Sequence, residues 1–104
     1  QHLAQAPIKQ TIVSLSVMYG FNPKLVLKIA ECESKFNPTA THFNTNKTID
    51  RGIFQINSAH KKLASDNGLD LTDPYDNIQM AFILLNNEGY KSWKSSRSCW
   101  QGYG

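Results

Sequence analysis

The chain has 104 residues, 40% hydrophobic and 18% charged, which suits one domain with a real core and is too short for two. Its formal charge of +3 and pI near 9.0 come from scattered Lys and Arg. Without a basic stripe a nucleic-acid partner is not expected, and without a long apolar run neither is membrane insertion.

The remaining bias is a weak one towards anionic polymers such as bacterial cell walls. Starting at Gln1, with no initiator Met and no basic-then-apolar leader, the sequence reads as a processed form. In chain order, the spacing first predicts a helix from Pro7 to Tyr19. Ile8, Ile12 and Leu15, with Val13 and Val17, recur at helical spacing, and Gly20 is its stop. Asn22-Pro23 reads as an N-cap followed by proline at the first helical position. Leu25, Ile29, Cys32 and Phe36 then form one apolar face, and Asn37-Pro38 is expected to end the helix.

From Thr41 to Ile56, residues rich in Thr, Ile and Phe flank the turn-like Asn44-Thr45-Asn46-Lys47, which predicts a β-hairpin or small irregular sheet. Ser58 is placed to cap a short helix through Ala64, closed by Asn67-Gly68. Asp73-Pro74 opens another helix with the stripe Ile78, Ala81, Phe82 and Leu85, ending at Gly89. The tail carries Tyr90, Trp93, Cys99, Trp100 and Tyr103. The fold class is therefore α+β, mainly α, with helices around a small β insertion in a single domain over residues 1–104.

Cys32 and Cys99 lack the close spacing of a zinc or redox site. A disulfide between them suits an oxidising compartment and closes a long loop; the alternative is two separate buried thiols. His2, His42 and His60 show no metal-ligand spacing, and Asp66-Asn67-Gly68-Leu69-Asp70 lacks the length and closing Glu of a calcium loop. No metal or cofactor is expected.

Glu33 carries the chemistry. It follows Ile29 and precedes Phe36 by one helical turn each, at the edge of the apolar stripe. A carboxyl held against apolar surface has its charged form disfavoured, which raises its pKa towards a general acid's range. Glu31 points elsewhere, into solvent. A lone Glu near a helix end is commonly a surface charge, so the context decides.

That context is Glu33-Ser34-Lys35-Phe36-Asn37-Pro38-Thr39-Ala40, followed by Asp50-Arg51-Gly52-Ile53-Phe54-Gln55-Ile56-Asn57-Ser58. The first segment resembles the E-S-x-F-N-P-x-A signature of soluble lytic transglycosylases. The second is similar both to their G-[LIM]-[MF]-Q-I element and to the D-x-G-I-x-Q-I-N-S strand of chicken-type lysozymes. The chain thus resembles the lysozyme-like superfamily over residues 33 to 58. Weaker likeness reaches Leu25 on one side, and the Asn77-Ile78 helix and Trp93 on the other.

This resemblance implies a lysozyme-like fold with an active-site cleft. It also implies cleavage of peptidoglycan glycan strands at the β-1,4 bond between N-acetylmuramic acid and N-acetylglucosamine, outside the cytoplasm (periplasmic, secreted or virion-associated), by a monomer. Glu33 would be the proton donor and Gln55 would border the scissile bond, while Asn57 would contact substrate or Asp50. Asp50 stands at the separation from Glu33 that chicken-type lysozymes use between acid and nucleophile. A retaining hydrolase needs such carboxyls about 5 Å apart. Asn44, Gln55 and Asn57 are expected to line the cleft and keep Asp50 ionised. The alternative is an Asp bonded to the hairpin's own backbone. Some transglycosylases similar to those associated with type III and type IV secretion also carry Asp here.

Gly52 is expected to permit close backbone approach or a positive φ. Ser34 is expected to bond within the helix end. Tyr90 and Trp93 are candidate cleft-wall aromatics, with core packing as the alternative. The A-Y-N-A-G-like element of transglycosylases is degraded to Leu84-Leu85-Asn86-Asn87-Glu88-Gly89-Tyr90, and the four-disulfide framework of chicken-type lysozymes is missing. Asn37-Pro38 favours the transglycosylase branch, and the Glu33/Asp50 pair favours the lysozyme branch. The leading expectation is a lytic transglycosylase. The alternatives are a true lysozyme using Asp50 as nucleophile or stabiliser, and a non-catalytic sugar-binding module.

Overall fold

Proline and asparagine set where the first helices begin. In the computed structural model, which describes residues 7–103, Pro7 precedes α1 (Ile8–Tyr19), and the left-handed Gly20, at φ 81°, closes it. Asn22 caps α2 (Pro23–Ser34) by accepting the Lys24 amide at 2.9 Å, and Pro23 supplies the preset φ of the first turn. This helix stops earlier than Asn37-Pro38. Lys35 and Phe36 take positive φ of 54° and 62°, and the Lys35 amide returns to the Glu31 carbonyl, so the proline follows a helix already closed. Its buried face is Val26, Ile29 and Ala30, with Leu25, Cys32 and Phe36 half-buried beside the core.

Three short antiparallel strands follow in the order β1 (Thr41–Phe43), β2 (Ile49–Arg51) and β3 (Ile56–Asn57). Asp50 is the register point: it pairs with His42 on one side and Asn57 on the other. Asn44 to Lys47 form the first turn, with Lys47 at φ 72°. The second turn runs from Gly52 at φ 79° to Gln55 at φ 50°. Asn57, rather than Ser58, caps the 3-10 turn Ser58–His60, its side chain accepting the Ala59 amide at 2.9 Å. The Ser58 hydroxyl is already engaged, accepting the Ile49 amide at 3.0 Å. α3 (Lys61–Asp66) continues from that turn, and Gly68 lies just beyond it.

α4 (Pro74–Glu88) is capped by Asp73, whose side chain accepts the Asp76 amide. It is buried over a wide arc, because α1, β3 and a 3-10 segment at Lys91–Ser96 all pack against it. Asn77 is 0% exposed and clamps α4 to the sheet. Its Nδ2 donates to the Arg51 and Leu71 carbonyls at 2.8 and 3.0 Å, and its Oδ1 accepts the Phe54 amide at 3.0 Å. A Cβ on Gly52 would stand 2.5 Å from that Nδ2, so glycine is required both for its φ and for the close approach.

The aromatic tail folds as the 3-10 segment, kinked at Trp93, and α5 (Arg97–Trp100). A Cys32–Cys99 disulfide, with Cα atoms 6.1 Å apart, ties α2 to α5 and settles the choice between bridge and free thiols. The fold is α+β, mainly α. Among the described residues, no helix is long and apolar enough to cross a membrane.

Candidate active site

The end of α2 faces the sheet across a cleft of about 900 Å³. Glu33, Asp50, Asn44, Gln55, Asn57 and Trp93 all line it, so six of the sequence-derived site residues converge there. Two anchors hold Glu33, the penultimate residue of α2. The Ser34 hydroxyl donates to the Ile53 carbonyl at 2.7 Å, pinning the helix end to the Gly52–Gln55 turn. The Ser96 hydroxyl stands 2.5 Å from Glu33 Oε2. Burial pushes the Glu33 pKa up, the hydrogen bond from Ser96 opposes that rise, and the negative charge of Asp50 adds to it; the result is above the usual carboxyl value. Glu31 is exposed and pairs with Lys28 at 3.1 Å.

Asp50 sits half-buried in the middle of β2, where its Oδ1 accepts Asn57 Nδ2 at 2.8 Å. Asn57 Nδ2 also reaches the Thr48 hydroxyl at 3.0 Å, and Asn44 Nδ2 reaches the same hydroxyl at 3.1 Å. Asn44, Thr48, Asp50 and Asn57 therefore form one polar wall opposite Glu33. Gln55 turns its amide nitrogen into the backbone, donating to the Ala40 and Gly52 carbonyls at 3.0 and 2.9 Å.

The two aromatic candidates separate. Trp93 is 2% exposed and forms the cleft floor, its indole N–H donating to the Phe54 carbonyl at 2.9 Å. Tyr90 lies outside the cleft. It packs edge-on against Phe21 and tilted against Trp100, in a different groove that it shares with Leu25 and Arg97. His42 and His60 line the cleft, but among the described residues no group of three or more His, Cys, Asp or Glu could hold a metal ion. His2 lies outside the described residues.

A model of the transglycosylase SLT domain matches residues 10–103. The chain belongs to that family. The family comprises peptidoglycan lytic transglycosylases, glycosidic-bond-cleaving enzymes of the lysozyme-like superfamily. This SLT domain is also similar to Protein IpgF of Shigella flexneri and to Protein IpgF of Shigella sonnei. Each is 36% identical over 72 residues, covering 65% of this chain and 47% of the relative. The chain thus spans about half the length of those relatives.

Sequence reasoning missed two residues that line this SLT domain's cleft, Thr48 and Phe43, and two that stand behind Glu33, Ser96 and Trp100. Thr48 gathers the Asn44 and Asn57 amides, yet in sequence it is one more turn-flanking Thr. Phe43 is 73% exposed on the rim, at the end of a strand whose three residues are all exposed. Ser96 and Trp100 meet Glu33 from the tail: the Trp100 indole donates to Ser96 Oγ at 3.1 Å, and Ser96 reaches the carboxyl. No spacing rule marks a contact between residues so far apart in the chain.

Proposed function

We propose that this SLT domain cleaves the β-1,4 bond between N-acetylmuramic acid and N-acetylglucosamine, as a lytic transglycosylase in which Glu33 is first acid and then base. The supporting observation is a half-buried carboxyl of raised pKa facing a polar wall across an open cleft. Glycoside cleavage needs a proton for the departing oxygen, and stabilisation for an oxocarbenium-like transition state. Glu33 gives its proton to the glycosidic oxygen as the bond to the muramyl C1 breaks. The Glu33 carboxylate then takes the proton of the muramyl 6-hydroxyl as O6 bonds to C1. A 1,6-anhydro ring closes, no water is consumed, and Glu33 ends protonated.

In this reading Asp50 supplies negative charge across the cleft, and Asn57 holds it there through the bond to Oδ1. Gln55 Oε1 faces substrate hydroxyl or amide hydrogens. Phe43, exposed on the rim, offers a ring face to a sugar. The disulfide suits action on a wall outside the cytoplasm.

The electrostatic coupling of Asp50 to Glu33 favours a second reading, a lysozyme that hydrolyses the same bond with Asp50 as nucleophile or stabiliser. Mass spectrometry of the products from purified peptidoglycan separates the two. Anhydro-muropeptides, one water lighter than hydrolysis products, are expected; finding only reducing ends overturns the transglycosylase reading. Undiminished cleavage by Glu33→Gln removes Glu33 as the acid. A wild-type chain that binds glycan without cutting it makes this a binding module.

A further inference from the structure

Among the described residues, Ser96 Oγ has three hydrogen-bonding neighbours: Glu33 Oε2 at 2.5 Å, the Trp93 carbonyl at 3.1 Å and Trp100 Nε1 at 3.1 Å. A hydroxyl has one hydrogen to give and two lone pairs to accept with. An indole N–H only donates, and a carbonyl only accepts. With the acid proton on Oε1, Ser96 can donate to Oε2 in either state; with it on Oε2, the constraints allow two complete arrangements. With Glu33 ionised, the Ser96 hydrogen points at the carboxylate and a lone pair accepts Trp100. With Glu33 protonated on Oε2, the acid donates to Ser96 Oγ and the Ser96 hydrogen swings to the Trp93 carbonyl. Trp100, which is also 3.2 Å from that carbonyl, stays satisfied throughout. No heavy atom moves between the two.

We propose that Ser96 is a positioning residue serving both protonation states of Glu33, donating to the carboxylate and accepting from the acid. The idea rests on the acid-then-base role assigned above, which requires one carboxyl to hold a single position while its proton leaves and returns. A backbone amide in place of Ser96 would favour only the carboxylate, and a carbonyl only the acid. The setting is rigid: Trp93 and Trp100 are 2% and 7% exposed. Cys32 and Cys99, next to Glu33 and Trp100, are bonded to each other.

The test follows the Trp100 indole N–H by NMR in the full chain, because its acceptor changes character when Glu33 titrates. In the wild type its resonance is expected to move at the same pH as the Glu33 carboxyl carbon. The movement is expected to vanish in Glu33→Gln and Ser96→Ala and to persist in Ser96→Thr, which keeps the hydroxyl. Asp50 on β2, His42 on β1, His60 in the 3-10 turn and Lys94 beside Ser96 also line the cleft, and every variant retains them. Glu31, on the same helix as Glu33, stays paired with Lys28.

On peptidoglycan, Ser96→Ala is expected to lower kcat/KM roughly 10- to 100-fold, as for loss of a hydrogen bond to a charged group. Its alkaline limb moves to higher pH, because the lost donor favoured the ionised form. Ser96→Thr restores most of both. A Trp100 resonance that stays flat while Glu33 titrates overturns the proposal. So does a Ser96→Ala protein with the wild-type pH profile. Should Ser96→Ala fail to fold, the wild type against Glu33→Gln still decides. Should the wild type not cleave peptidoglycan, the indole titration still reads Ser96 separately from the proposed reaction.

Discussion

Removing the Asn77 side chain tests how the helical core holds the sheet that lines the cleft. Asn77 is itself 0% exposed, and Asn77→Ala would strand the buried Phe54 amide and take a donor from the part-buried Arg51 and Leu71 carbonyls. Each orphaned group costs about 1–3 kcal/mol, and partial entry of water offsets some of this, so the expected loss is about 3–5 kcal/mol. Domains of this size have about 5–15 kcal/mol in all. Urea unfolding followed by Trp93 and Trp100 fluorescence should therefore show a midpoint lowered by about 2 M with an unchanged slope. Asn77→Leu, similar in volume, should be nearly as damaging, since it leaves the same groups unpaired. Gly52→Ala strikes the same clamp from the other side, with its Cβ 2.5 Å from Nδ2. In the Asn77→Ala background that clash disappears and only the left-handed backbone penalty of about 1–2 kcal/mol remains. A loss below about 1 kcal/mol for Asn77→Ala, or strict additivity with Gly52→Ala, would refute the clamp.

Three further outcomes follow from the site. Burial raises the folded-state pKa of Glu33, so the stability it contributes is present at acid pH and is lost as pH rises through the raised value. Glu33→Gln should therefore melt higher than wild type at about pH 8 and alike at about pH 3, while losing activity; scanning calorimetry at both pH values checks this. Asp50→Asn removes a charge that raises the Glu33 pKa, so the alkaline limb of kcat/KM should move to lower pH, read from a pH–rate profile. Cys99→Ala opens a loop of sequence separation 67 and should lower stability by about 4 kcal/mol, measured by denaturant titration against the oxidised parent.

Helix starts were legible because their signals are local. Asn22-Pro23 and Asp73-Pro74 cap the helices they were expected to cap, since a side-chain oxygen and a fixed φ act within one turn. Glu33 beside apolar surface was legible for the same reason: helical spacing alone puts it at the edge of the stripe. The end of α2 was not, because two non-glycine residues in left-handed conformation closed it before the proline did. The cap at Asn57 was displaced from Ser58 by a long-range bond to β2, and local rules carry no information about such bonds. Tyr90 and Trp93 are both ring-bearing tail residues, yet the kinked 3-10 segment sends one to the cleft floor and the other to a separate groove. Tertiary packing, not composition, made that division.

The contact between Ser96 and Glu33 spans 63 residues, and the disulfide beside it spans 67. During synthesis, Glu33 and the whole sheet leave the ribosome well before Trp93, Ser96, Cys99 and Trp100. Until the tail docks, Glu33 lacks its hydroxyl partner, and the neighbouring Cys32 lacks its disulfide. The groups that matter most for the proposed chemistry are thus joined by contacts of large sequence separation, which are slow to form.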